Sequence, residues 1–304
     1  MPSVQTFKLA TWNLQKGPAL QNLAKQNIFA AAALSARYQI LDFLQKNCDI
    51  VFVQEPPTEI RDETQKIDFS GTFETHEKVW LSYNREADNQ VHQSANRPAY
   101  WTSLPTQVLT TPSNCPCNGN EDAYRLSAMG WTVTKLGEAI FISLHATSGY
   151  NAKRNTEDFL KWLAEWVVAE HKGVRFVVIG ADFNHWCTQD LQFGAVTATF
   201  RQPTAMTQQS GSILDGFCCL LIDPTLKVKW SNAQRVVKGD LLGPIGTRMV
   251  QVNPDIQQME NHRGYIGELP KGQLPGTNQM LNEALDIRMS DHCAVVAQLE
   301  VTEP

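Results

Sequence analysis

The chain has 304 residues, 42% hydrophobic and 19% charged, which is enough apolar material for a large core and excludes a disordered polar chain. A net charge of −5 excludes a broad basic surface that would hold nucleic acid by charge alone, though not an enzyme that needs only a few phosphate contacts. The seven cysteines are odd in number and scattered, which fits neither a disulfide framework nor a structural zinc pattern. Cys115 and Cys117 share a loop where a disulfide is open, plain thiols being the simpler state. The opening residues MPSVQTFKLA lack the basic start and apolar core of a signal peptide, and the apolar run at 28–34 is too short to span a bilayer.

In chain order, Phe7 to Leu14 (FKLATWNL) reads as a strand with Asn13 near its end, broken by Gly17-Pro18. Asn27 is placed to cap a helix running to about Lys46, with Phe29, Ala33, Ile40 and Leu44 on one stripe. Cys48 to Glu55 (CDIVFVQE) is a second core strand, stopped by Pro56-Pro57. A glutamate closing an apolar strand is costly unless it meets a partner or a metal; the plainer alternative is a solvated residue just past the sheet. Val79–Tyr83, Tyr100–Leu104 and Arg125–Thr134 read as strands with the weaker alternation of antiparallel sheets.

Ala139 to His145 (AIFISLH) is another core strand with His145 at its end. A helix follows, with Thr156 as N-cap, Glu157 and Asp158 in its first turn, and an apolar face of Phe159, Trp162, Leu163, Trp166 and Val167. Then comes RFVVIGADFNHW, Arg175 to Trp186. Its apolar run is rich in β-branched residues, as a strand buried on both faces requires. Gly180 marks a place where something approaches the backbone closely, and Asp182 and Asn184 sit on alternate positions beyond it. A carboxylate and a carboxamide aimed together suit water and phosphate oxygens near a hard cation; an Asx turn would use the same residues.

Pro203 to Leu221 holds a Gly/Ser turn and the strand ILDGFCCLL, which carries Asp215. Residues 229–286 are rich in Gly, Pro, Gln and Asn, and read as a long connection governing substrate or partner choice. Ser290-Asp291-His292 leads into a final strand, Cys293 to Val301.

Two strand–helix–strand units, one ending in Glu55 and one in Asp182, echo each other. That echo points to a single domain over 1–304 built as a four-layer α/β/β/α sandwich, two mostly antiparallel sheets face to face with helices outside. Asn13, Glu55, His145, Asp182, Asn184, Asp215, Asp291 and His292 all fall at strand ends, where they would collect along one edge. The oxygen donors among them suit Mg²⁺, Mn²⁺ or Ca²⁺.

The motifs TWN (Thr11-Trp12-Asn13), QE (Gln54-Glu55), GADFN (Gly180 to Asn184), ILDGF (Ile213 to Phe217) and SDH (Ser290 to His292) resemble, in this order, those of the endonuclease/exonuclease/phosphatase superfamily, the DNase I-like proteins. With FKLATWNLQ, DIVFVQE, HATSG and PTAMTQQSGSILDGF, the chain looks most like the catalytic B subunits of cytolethal distending toxins within it. The resemblance implies that Glu55 is the main metal ligand, helped by Asn13 and Asp291, with Mg²⁺ as cofactor. It implies that Asp215 orients His292 to polarise the attacking water or the phosphate. Asp182 and Asn184 would position the nucleophile and a phosphate oxygen, His145 would protonate the leaving oxygen, and Arg125 would contact a phosphate. His185 stands where the toxin subunits carry an arginine, which puts one phosphate contact in doubt, and the connection after Asp215 looks longer than theirs.

The function so implied is metal-dependent phosphodiester hydrolysis by a DNA endonuclease of toxin or effector type, with a carrier subunit or immunity protein as further partners. The alternatives are a phosphoinositide phosphatase using the same His–Asp machinery and a catalytically silent binding subunit.

Overall fold

The computed structural model describes residues 3–14, 41, 44–55, 81–82, 98–109, 112, 114–116, 127–208, 212–236 and 292–304. Among these, fourteen strands form two sheets of seven. The first sheet runs β12 (Lys227–Trp230), β14 (Val295–Glu303), β1 (Ser3–Asn13), β2 (Ile50–Gln54), β4 (Ala99–Thr102), β3 (Leu81–Ser82), with β13 (Gln234–Arg235) also on β14. The second runs β5 (Thr106–Leu109), β6 (Ser127–Thr134), β7 (Gly137–His145), β8 (Val174–Asp182), β11 (Asp215–Leu221), β10 (Val196–Arg201), β9 (Leu191–Phe193). Each sheet has one parallel pair, β1 with β2 and β7 with β8, and is otherwise antiparallel. These pairs are the two echoed units, since a strand returning parallel needs a crossover of helical length.

Side chains alternate across each strand, so the two sheets share one core and keep separate outer faces. Phe7, Leu9, Phe52 and Tyr100 of the first sheet meet Phe141, Phe176, Val178 and Phe217 of the second, with the Phe7 and Phe141 rings edge to face at 5.7 Å. Burying each such ring contributes about 1.5–3 kcal/mol. The alternate residues of the second sheet, Ile140, Ile142, Val177 and Ile179, pack on Phe159, Leu160, Leu163 and Val167 of helix α1 (Ala152–Glu170). On the far side Ala10, Trp12, Val51 and Val53 are buried as well, and residues 44–47 are helical. The architecture is the four-layer α/β/β/α sandwich.

Gly180 has its reason in this packing. A Cβ there would overlap the ring of Phe52, which crosses from the facing sheet. The close approach is therefore between the two sheets.

Several expectations change. Helix α1 begins at Ala152 with Asn151 as N-cap, not at Thr156, which is buried inside it. Ala152, Lys153 and Arg154 are good helix formers, and Ala152 N–H bonds Gly149 O, so the helix starts a turn earlier. The expected apolar face is present, with Trp162 stacked on Trp166 at 5.6 Å. Strands β5, β9 and β10 were not anticipated; their half-exposed residues lack a continuous apolar run. The connection does not begin at residue 229, because β12 and β13 extend the first sheet through Arg235. Residues 237–291, most of that connection, lie outside the described residues, as do the expected helix start at Asn27, Cys117, Arg125 and Asp291. Cys115 is buried. Among the described residues no helix is long and apolar enough to cross a membrane.

Candidate active site

Strand registers place the polar residues before any side-chain contact does. In the second sheet His145 pairs with Asp182 across the parallel β7–β8 ladder, and Asp182 pairs with Asp215 across the antiparallel β8–β11 ladder. Three titratable residues thus stand side by side at one level. In the first sheet Asn13 pairs with Gln54, at the matching edge. Glu55 follows immediately at φ 48°. An extended residue there would point away from the facing sheet, whereas the left-handed turn brings its carboxylate back beside Asn13. Asn184, at φ 56°, makes a similar turn after β8, and asparagine tolerates that region better than most residues.

The two sheets meet through short contacts. Asn13 Nδ2 donates to Asp182 Oδ2 at 2.9 Å and lies 3.4 Å from Glu55 Oε1. His145 Nε2 stands 3.6 Å from both Glu55 Oε1 and Asp182 Oδ2. His292 Nδ1 lies 2.8 Å from Asp215 Oδ2, and its Nε2 3.8 Å from Asp182 Oδ2. One ligand atom from each of Asp182, Asp215 and His292 falls within 4.8 Å of the others. Asp182 Oδ1 accepts the Asn184 N–H at 2.9 Å, so the Asx turn is present along with the cluster. Asn184 Nδ2 donates to Ala146 O at 2.7 Å, tying the loop after β8 to the loop after β7.

Residues that the motifs did not single out as functional hold the His292 dyad in place. Trp12 Nε1 donates to His292 O at 3.0 Å, and Cys293 N–H to Thr207 O at 2.8 Å. The hydroxyl of Thr207 accepts the N–H groups of Leu214 (2.9 Å) and Asp215 (3.2 Å). Thr207 lies inside PTAMTQQSGSILDGF, so a signal existed, but nothing local marks a threonine as the brace of a residue eight positions on. His185 is held within its own loop. Its Nδ1 donates to Phe183 O at 2.8 Å, and its Nε2 faces Cys187 Sγ at 3.3 Å. Burial pushes that thiol up to about 12, so it stays protonated and donates to the imidazole.

Burial works to raise the pKa of Asp182, but His292, His145, the Asn13 amide and the Asn184 N–H outweigh it and hold the carboxyl below its usual range. For Asp215 burial wins over the opposing His292, and its pKa is pushed up from 3.8 to about 6. A carboxyl whose folded pKa exceeds its unfolded value costs stability once pH rises above the unfolded value, with the full penalty reached above the folded one. In metal-free protein, Asp215→Asn therefore gains stability on the wild type as pH rises from 4 to 7. Urea unfolding of both proteins at each pH checks this, and parallel pH dependences would rule out a protonation cost at Asp215.

A fold of two packed sheets with a His–Asp pair and facing carboxylates at one edge defines a class, and residues 10–236 match the family model of the Endonuclease/Exonuclease/phosphatase family. The chain belongs to that family. Among solved structures it is similar to D. rerio TDP2 complexed with single strand DNA product (10% identity, TM-score 0.51, covering 97% of this chain and 99% of that one). It is similar also to an endonuclease/exonuclease/phosphatase family protein from Bacteroides thetaiotaomicron (13%, TM-score 0.50, 100% and 99%). Cytolethal distending toxin from Actinobacillus actinomycetemcomitans is a further similar structure (14%, TM-score 0.45, 96% and 97%). No curated protein sequence matches the chain.

Proposed function

We propose that this protein is a divalent-cation-dependent phosphodiesterase whose substrate is DNA, cut internally. The observation that carries the reading is the buried 2.8 Å contact between His292 and Asp215, directed at the edge where Asn13 and Glu55 face His145 and Asp182. The donor set fits a hard cation: the Glu55 carboxylate, 21% exposed, reaches solvent at that edge beside a second carboxylate and a carboxamide. Glu55 and Asn13 would hold Mg²⁺ or Mn²⁺, with Asp291 next to His292 as a third oxygen donor. A cation so held neutralises phosphate charge and lowers the pKa of bound water.

The chain's own groups do the rest. With Nδ1–H donated to Asp215, His292 has one tautomer, and Nε2 becomes the nitrogen that takes or gives a proton. Asp182, ionised under the field of the two histidines, accepts a hydrogen from the attacking water and orients it. His145 is the second imidazole, placed to protonate the leaving oxygen. Asn184 gives one amide hydrogen to Ala146 O and has another for a phosphate oxygen. Arg125, two positions before β6 in the sequence, is the proposed phosphate contact. The TDP2 structure bound to a DNA product favours DNA as substrate for this fold. The motif likeness to the toxin subunits favours an endonuclease, with a carrier or immunity protein as partner.

The expected result is that supercoiled plasmid is nicked in Mg²⁺ or Mn²⁺ and stays intact with EDTA. Undiminished nicking in excess chelator removes Glu55 from the metal role. Phosphate release from phosphoinositides with the plasmid intact would make the protein a phosphomonoesterase, and no turnover of either would make it a binding subunit.

A further inference from the structure

We infer that Gln54 is a positioning residue: it clamps the two sheets one pleat below the reacting groups and sets the gap across which Asn13 and Glu55 face His145 and Asp182. This rests on the phosphodiesterase reading above. Gln54 is fully buried between the sheets, at the edge of their shared apolar core. Its Nε2 lies 3.2 Å from Thr11 Oγ1 on its own sheet, and 3.1 Å from Ser143 Oγ and 3.3 Å from Gly180 O on the facing one. Ser143 Oγ donates back across the gap to Val53 O at 2.9 Å, and the Thr11 hydroxyl lies 3.3 Å from Gln54 Oε1.

Each partner sits beneath a site residue. Thr11 precedes Asn13 by two positions, Ser143 precedes His145 by two, and Gly180 precedes Asp182 by two. Side chains repeat every second residue along a strand, so these groups form a row on the same face, about 7 Å below the site. Gln54 directly precedes Glu55 and starts the turn that aims its carboxylate. Gly180 belongs to the same device, because its missing side chain lets Phe52 and Gln54 reach the backbone of β8.

Apolar contacts between sheets are non-directional and tolerate sliding, whereas hydrogen bonds have narrow distance and angle requirements. An amide bridging two sheets therefore fixes their spacing where packing alone would not. The site depends on that spacing, since the Asn13–Asp182 contact of 2.9 Å and the Glu55–His145 contact of 3.6 Å both span it. A misplacement of about 1 Å in a reacting group costs about 10² in rate.

The test is Gln54→Met, similar in length but unable to bridge, with four measurements: kcat and KM on bis(p-nitrophenyl) phosphate at saturating metal, Mn²⁺ affinity of the metal-free protein by electron paramagnetic resonance, and cooperativity of urea unfolding. Expected are a fall of about 10² in kcat, a rise of about tenfold in the Mn²⁺ Kd and a KM within about threefold, in protein that still unfolds cooperatively. A purely structural glutamine would lower the urea midpoint and leave kcat and Mn²⁺ affinity within about twofold, which overturns the inference. Should Gln54→Met not fold, Ser143→Ala removes one arm of the clamp for a single oxygen; a kcat loss of about tenfold with weaker Mn²⁺ binding supports it, and wild-type values overturn it. If the wild type hydrolyses no phosphodiester, the functional reading fails by itself, and Mn²⁺ affinity alone decides the clamp.

Discussion

Replacing His292 or Asp215 by alanine lowers turnover by on the order of 10² to 10⁴, and replacing both costs little more than replacing His292 alone. Non-additivity follows from the geometry: Asp215 Oδ2 is paired with the Nδ1 of His292, at 2.8 Å. Once the imidazole is gone, the carboxylate has nothing left to orient. If Asp215 were instead a cap for the start of β11 and His292 an independent substrate contact, the two losses would multiply. Kinetics on the four proteins of the cycle at saturating Mg²⁺ decide between these, and additive free-energy penalties sink the dyad. Both side chains are buried, so alanine at either leaves a buried polar atom without its partner, at a cost of about 1–3 kcal/mol. Asp215→Asn keeps a hydrogen-bond acceptor for Nδ1 and removes the charge. It folds, and its loss of turnover separates the electrostatic contribution from simple orientation.

Asp182→Asn abolishes most activity, by about 10³-fold, while retaining the fold. Asp182 is the point where the two sheets' contributions converge: Asn13, the Asn184 N–H, His145 and His292 all surround its carboxylate. The two histidines and the donated hydrogen bonds keep it ionised against burial, as a water-orienting group must be. Because the folded pKa is depressed, this carboxylate contributes stability at neutral pH that is lost as pH falls through that depressed value. Asparagine is the informative replacement. Its Oδ1 still accepts the Asn184 N–H, so an Asx-turn role survives in the variant while the charge does not. Wild-type turnover in Asp182→Asn would reduce Asp182 to a turn residue. Asp182→Ala loses the turn bond as well, so its unfolding midpoint falls below that of the asparagine variant.

The sequence by itself determined the strands at the centre of both sheets and the identity of the groups at their ends. Phe176 to Ile179 and Ile50 to Val53 are apolar without alternation, which only a strand covered on both faces accommodates, and both are buried throughout. The two strand–helix–strand echoes coincide with the parallel pairs, though the echo itself said nothing of strand direction. Asn13, Glu55, His145, Asp182, Asn184, Asp215 and His292 were legible because polar residues at either end of apolar strands break a local pattern, and a local pattern is what a one-dimensional reading detects.

Tertiary structure alone decided what those groups do to one another. Nothing near Glu55 announces that φ 48° turns its carboxylate inward, since that follows from a contact with Asn13, 42 positions away. Gly180 marked a close approach without naming the group, which is Phe52; Gln54 stood only as the neighbour of the expected metal ligand Glu55, and it bonds three partners up to 126 positions off. Thr207 and Trp12 brace the His–Asp pair, Trp12 from a separation of 280 residues. Edge strands such as β5, β9 and β13 are short and half exposed, so their pairing comes from the neighbour they join. Periodicity records which face of an element is covered; which residues meet across the covered faces is set only when both sheets close on each other.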